Sequence, residues 1–168
     1  SHVGNRTGRE AIDASSQPIA VTHGNPASFC QSPRNKPDEL IDALAERGGV
    51  IGCTLYPLFM GGSDTPRLSF CQMMADLAER IGPEHVAVGS DAVLGWQPGA
   101  LGWMRNGRWN RSDDPDQAPQ FPDWPPWFQG PEDFGSLAEG LDEAGLSPTD
   151  RDAILGGNWL RLFSTVFR

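Results

Sequence analysis

Cysteine is scarce in this chain: its 168 residues hold three, Cys30, Cys53 and Cys71, with no CxxC spacing. That odd number argues against a disulfide framework and fits reduced thiols in a cytoplasm, although many exported bacterial proteins also lack disulfides. Long apolar runs are missing too, none approaching the roughly 18 residues that a membrane span needs. Basic charge is short: 13 Lys and Arg face 22 Asp and Glu, a formal net charge of −9, and the cations are scattered. That balance argues against nucleic acid and anionic membranes as partners. Internal repeats and low-complexity tracts are absent. What remains, 38% hydrophobic and 21% charged, is the composition of a globular chain long enough for one domain with a sizeable core.

Histidine is also rare, and its placement is informative. The apolar run Pro18-Ile19-Ala20-Val21-Thr22 ends on His23, and Val86-Ala87-Val88-Gly89-Ser90 ends on Asp91. Short continuous apolar runs of this kind read as buried parallel strands. In α/β barrels the residues just past such strands lie on the face where chemistry is done. Two strands that deliver His and Asp to one rim suggest a metal or acid/base site. The opening Ser1-His2-Val3 reads as the end of a further strand, truncated just before its own histidine.

Along the chain, Thr7-Gly8-Arg9-Glu10 has the form of a capping box opening a helix through about Ala14. A strand over Ile19–Thr22 follows, then a polar loop with Asn25, Pro26, Pro33 and Arg34. Pro37 suits a first helical position, Asp38 and Glu39 suit the first turn, and Leu40, Ile41, Leu44 and Ala45 form the stripe to be buried. Further strands are predicted over Val50–Leu55 and Val86–Ser90, with a helix from about Leu68 to Ile81 between them. This βαβαβ alternation implies a parallel sheet. Residues 92–131 break the pattern: they hold five of the six tryptophans and seven of the fifteen prolines. A loop of that length inside a domain is functional or disordered, and its aromatic content favours an ordered lid. Beyond it a helix is predicted over Glu132–Ala144. An N-cap with proline follows at Ser147-Pro148, and an apolar helix over Trp159–Phe167 closes the chain.

Each candidate residue also has a plainer reading. His23 serves equally as a rim histidine bonded to a neighbouring loop, Asp91 as a loop cap, and Arg34 as a solvated cation. His85 lies at the start of its strand, where a structural role is expected. The site reading gains from the whole pattern. In order, the chain carries Ser1-His2-Val3-Gly4, Val21-Thr22-His23-Gly24-Asn25 and Arg34-Asn35-Lys36-Pro37-Asp38. It continues with Arg47-Gly48-Gly49-Val50-Ile51-Gly52, Gly82-Pro83-Glu84-His85-Val86-Ala87-Val88-Gly89-Ser90-Asp91 and Gly156-Gly157-Asn158-Trp159-Leu160-Arg161. With 21 residues from His2 to His23 and 11 from His23 to Arg34, it resembles, end to end, the C-terminal half of the membrane (renal) dipeptidases, binuclear zinc enzymes.

That resemblance implies an α/β fold, the C-terminal half of a (β/α)8 TIM-type barrel, with a long Trp/Pro-rich loop and C-terminal helices. It implies zinc-dependent hydrolysis of dipeptides, with two zinc ions in the complete site. His2 and His23 map onto the ligands of the second zinc, and Arg34 onto the clamp for the substrate carboxylate. Asp91 maps onto the acid that handles protons near the attacking water and the substrate's amino end. The family's His-x-Asp pair, bridging glutamate and further histidine have no counterpart here, and Ala92-Val93-Leu94-Gly95 follows Asp91 where the family has Phe-Asp-Gly. Four strands cut from a barrel leave two open edges and one uncovered face. The N-terminal half is therefore expected as a second chain or segment, or identical copies as a homo-oligomer. Two rival readings stay open: a non-catalytic relative that binds a peptide or small ligand, and an amidohydrolase that tailors a modified peptide.

Overall fold

The computed structural model describes residues 1–92 and 122–167. Three parallel strands, β1 (Ala20–Val21), β2 (Val50–Cys53) and β3 (Val86–Val88), form a sheet in the order β1-β2-β3. Ala20 pairs with Val50, and Ile51 with Val86. The elements between them are α1 (Asn5–Ala14), α2 (Asp38–Glu46), a short α3 (Pro57–Met60) and α4 (Arg67–Ile81). After the sheet come α5 (Phe134–Glu143) and α6 (Pro148–Asp152), a wide π-type turn over Ala153–Gly157, and α7 (Asn158–Val166). Mixed α/β architecture with parallel strands thus stands as the sequence predicts.

The strands are short because the backbone beyond them is engaged elsewhere. β2 stops at Cys53 since Thr54 gives its N–H to Asn25 Oδ1 (2.9 Å) and its carbonyl to Asn25 Nδ2 (3.0 Å). Residues 1–3 themselves lie outside any strand: the carbonyls of Ser1 and Val3 accept from the Lys36 ammonium. The sheet has three strands among the described residues. The capping box at Thr7 does not form either. The helix begins at Asn5 with Gly4 as its cap, and Glu10 pairs with Arg6 (2.8 Å) on the exposed face. Pro37 sits at the N-cap of α2, one position earlier than predicted, whereas Ser147 caps α6 as expected, its Oγ accepting from the Asp150 N–H.

Both faces of the sheet are covered. Val21, Ile51, Cys53, Val86 and Val88 face one core with Leu40, Ile41 and Leu44 of α2 and Phe70, Met74 and Leu77 of α4. Full burial of side chains this size contributes about 1.5–3 kcal/mol each. On the other face, Ala20, Val50 and Ala87 meet Trp159, Leu162 and Val166 of α7, so the uncovered face expected of half a barrel is absent. One sheet edge is also occupied. Val86 and Val88 direct their carbonyls away from β2, where they accept from Asn158 Nδ2 (2.7 Å) and Trp159 Nε1 (2.8 Å).

Most of the lid expected over 92–131 lies outside the described residues. Of its tryptophans, Trp127 packs on Phe70 and donates to the Thr65 carbonyl (2.8 Å), and Trp124 meets Tyr56 edge-on. Phe128 beside them is fully buried.

At the carboxyl end of the sheet the three strands crowd around one atom. A Cβ on Gly52 or Gly89 would overlap the Thr22 carbonyl oxygen, and backbone cannot yield as a side chain does. Gly89→Ala is expected to cost about 1–3 kcal/mol, the range for overpacking a filled site, read as a lower midpoint in chemical denaturation. Burial pushes the Cys53 and Cys71 thiols up to about 12. Neither should be alkylated by iodoacetamide at pH 8 in the native protein, and both should react once unfolded.

Candidate active site

The site is built on a loop that returns to the sheet twice. β1 ends at Val21, and residues 22–37 run out over the end of β2 and back into α2. Such a segment can be buried only if its polar groups find partners. Asn25, fully buried, supplies most of them. Its N–H donates to Asn35 Oδ1 (3.0 Å), its amide nitrogen to the carbonyls of Thr54 and Phe59 (both 3.0 Å), and its amide oxygen accepts from Thr54. Asn35 answers from the returning limb, donating to Cys30 O and Phe59 O (both 2.8 Å). Main-chain bonds from Lys36 N–H to Asn25 O (2.9 Å) and from Ala27 N–H to Lys36 O (2.8 Å) zip the limbs together.

This frame brings three of the four predicted residues to one point. His2 Nε2 lies 2.9 Å from His23 Nε2, and Arg34 Nη2 donates to the same His23 nitrogen at 3.1 Å. Arginine has no acceptor, so His23 Nε2 carries the lone pair and its proton sits on Nδ1. Nδ1 in turn lies 3.0 Å from Thr22 Oγ1, which can accept that proton. The guanidinium lies over the Phe59 ring, 5.1 Å from its centroid, and its Nε is buried without a hydrogen bond.

Asp91, the fourth residue, sits past β3 at φ 57°, a left-handed conformation uncommon for a non-glycine residue. It is exposed rather than partly desolvated as the sequence suggests, because the strand ends three residues before it. Its charge nevertheless reaches both histidines. Burial holds the His23 imidazole below its ordinary pKa, with His2 and Arg34 adding to the effect and Asp91 opposing it. His2 is lowered in the same way, by burial and then Arg34, against the same opposing carboxylate. His85 is structural as expected, its Nδ1 2.7 Å from the Gly49 carbonyl.

Two neutral imidazoles turned toward each other suit a divalent metal of the zinc type. Tetrahedral Zn–N bonds place two nitrogens about 3.3 Å apart, within about half an ångström of the spacing here. The donor set is partial. Among the described residues no three His, Cys, Asp or Glu side chains come together as a metal site. The residues that sequence reasoning missed are those that hold the site: Thr22, Asn25, Asn35, Lys36 and Phe59. All but Phe59 lie inside or beside the recognised motifs, but nothing in a single sequence marks an asparagine as buried.

Parallel strands with a histidine pair and an arginine at their carboxyl ends define a metallohydrolase-like α/β site. A family model described as membrane dipeptidase, peptidase family M19, matches residues 1–104, and the chain belongs to that family. Dipeptidase ataJ of Aspergillus terreus is 30% identical over 169 residues, which are 99% of this chain and 35% of that protein. Dipeptidase aclJ of Aspergillus oryzae is 27% identical over 173 residues, 99% of this chain and 34% of that protein. Among solved structures, an amidohydrolase from Pseudomonas aeruginosa has a TM-score of 0.83 at 25% identity, over 99% of this chain and 51% of its own. A metallopeptidase from Rhodobacter sphaeroides, solved with a phosphinate mimic of L-Ala-D-Ala, shares the fold at a TM-score of 0.75 and 18% identity, over 98% of this chain and 41% of its own. The chain thus spans about a third of the curated relatives' length and about half of the amidohydrolase.

The lowered imidazole pKa values give a pH expectation. A histidine whose folded pKa is depressed favours folding above the ordinary imidazole value of about 6.5 and loses that contribution as pH falls below it. In an NMR titration of the metal-free protein, the His2 and His23 ring protons should show midpoints below that value. Midpoints at or above it would contradict the burial and the Arg34 contact described.

Proposed function

We propose that this chain contributes to a zinc-dependent dipeptidase the second metal's histidines, His2 and His23, the carboxylate clamp Arg34 and the acid Asp91. The meeting of His2, His23 and Arg34 at the carboxyl ends of parallel strands carries this reading. Bound zinc supplies Lewis acidity, polarising the scissile carbonyl and making a water acidic enough to attack at neutral pH. The chain's own residues do the rest. His23 keeps its Nε2 as the acceptor, engaged here by Arg34 and available to a metal once the guanidinium turns to substrate, while Thr22 can accept the proton on Nδ1. Arg34, stacked on Phe59, offers a planar fork for the C-terminal carboxylate of a dipeptide. Asp91, free to solvent on a strained backbone, binds the substrate's amino end and moves the proton to the leaving nitrogen.

The chain forms the C-terminal half of a (β/α)8 barrel, and the remaining strands come from a second chain or segment. Beside β1 the edge is open to a further strand, whereas closure at β3 would require the Val86 and Val88 carbonyls to exchange Asn158 and Trp159 for a strand partner. One observation favours a second reading, a binding relative without catalysis: two histidines alone make an incomplete metal site. The two readings part on one experiment. In the assembled protein, His23→Ala should remove a zinc equivalent and cut dipeptide hydrolysis at least about 100-fold, beyond the 10–100-fold usual for an outer-shell partner. Unchanged zinc and rate would overturn the dipeptidase reading. Arg34→Ala should lower kcat/KM about 10–100-fold, the worth of hydrogen bonds to a charged group, mainly through KM.

A further inference from the structure

Lys36 is 2% exposed and is among the largest fully buried side chains of the molecule, an unusual place for a lysine. Among the described residues it forms no salt bridge with a carboxylate there. Its Nζ donates to the Ser1 carbonyl (3.1 Å) and the Val3 carbonyl (3.0 Å), the carbonyls of the residues on either side of His2. Its main chain is spent on the other ligand's segment: the N–H donates to Asn25 O and the carbonyl accepts from Ala27 N–H, two and four residues past His23. Its stem also packs beside Gly24, where a Cβ would come within 3.9 Å of Lys36 Cγ. One residue therefore touches the backbone on both sides of the histidine pair, with its side chain on one ligand's segment and its main chain on the other's.

Lysine suits that task. Its four-carbon stem crosses apolar interior while the ammonium offers three donors and needs no acceptor. Two carbonyls from an irregular segment, which form no ladder of their own, are what such a group can satisfy. An isosteric apolar side chain would fill the space and leave both carbonyls without that donor.

We infer that Lys36 is a positioning residue for the metal pair, setting where His2 Nε2 lies relative to His23 by pinning the carbonyls of the two residues on either side of His2, Ser1 and Val3. The inference rests on the reading of His2 and His23 as ligands of one zinc. It predicts that Lys36 acts on metal affinity and geometry as well as on folding. Loss of an outer-shell partner of this kind weakens metal binding about 10–100-fold.

The test uses the complete metalloprotein, stripped of metal and titrated with Zn²⁺ against a chromophoric chelator and with Co²⁺ by its visible absorption. Lys36→Met, which keeps the stem, should weaken one of the metal sites about 10–100-fold and shift its Co²⁺ bands. Lys36→Arg, which keeps the donors, should recover affinity to within a few-fold. Where Lys36→Met does not fold, Lys36→Gln is read in its place, with a smaller loss expected from its single amide donor group. A purely stabilising lysine would lower the thermal midpoint and leave the affinity and Co²⁺ spectrum of the folded protein as in the parent. That result overturns the inference. His2→Ala, run alongside, separates the two levels. If it loses one metal while Lys36→Met loses none, the positioning role fails and the dipeptidase reading stands. If His2→Ala keeps both metals, the ligand assignment fails and the role of Lys36 falls with it.

Discussion

Burying a loop depends on answering its peptide groups, and here the amide of Asn25 does much of that work. It engages Asn35 across the loop, Thr54 at the end of β2 and Phe59 beyond it. Hydrogen bonds in such a network contribute modestly one by one, but leaving one of these buried groups unpaired costs about 1–3 kcal/mol. Everything functional hangs from this frame. His23 leaves it at one end, Arg34 and Lys36 at the other, and Phe59, whose carbonyl it holds, lies under the guanidinium. The strands supply a floor, and the asparagines decide where the loop stands on it.

The charge balance of the site is the reverse of the chain's. Across 168 residues the net charge is −9, yet the cations Arg34 and Lys36 converge on two imidazoles that burial keeps neutral. Asp91 is the counterweight. Its carboxylate opposes the downward shift of both histidines.

Much of the fold was legible because its elements are strongly patterned. The stripe Leu40, Ile41, Leu44 and the run Val86–Val88 could hardly be read otherwise, and both lie where periodicity puts them. Errors fell where a local signal met a tertiary partner. Thr7 and Glu10 have the spacing of a capping box, but Glu10 has an arginine at helical spacing and takes it. The strand predicted to Leu55 stops short because Asn25, 29 residues upstream in sequence, claims the Thr54 peptide. His2, His23 and Arg34 were singled out through the family resemblance, and the structure brings the three together. The bonds of Lys36 to the His2 segment were not, since neither its burial nor the path of residues 1–3 leaves a trace in composition or period.

The same contest shows how the faces and one edge of this three-stranded parallel sheet are covered among the described residues. Parallel sheets need cover on both faces and suffer from open edges. α7 answers both demands with consecutive residues: Trp159 packs over Gly52 and the strand face while its indole N–H joins Asn158 in bonding the β3 edge. Reaching that position requires the helix axis to step, and the wide turn at Ala153–Gly157, ending in two glycines, makes the step. Among the strands, β1 is left with one neighbour. Any strand that joins this sheet without displacing α7 must therefore do so beside Ala20 and Val21, next to the histidine that β1 delivers.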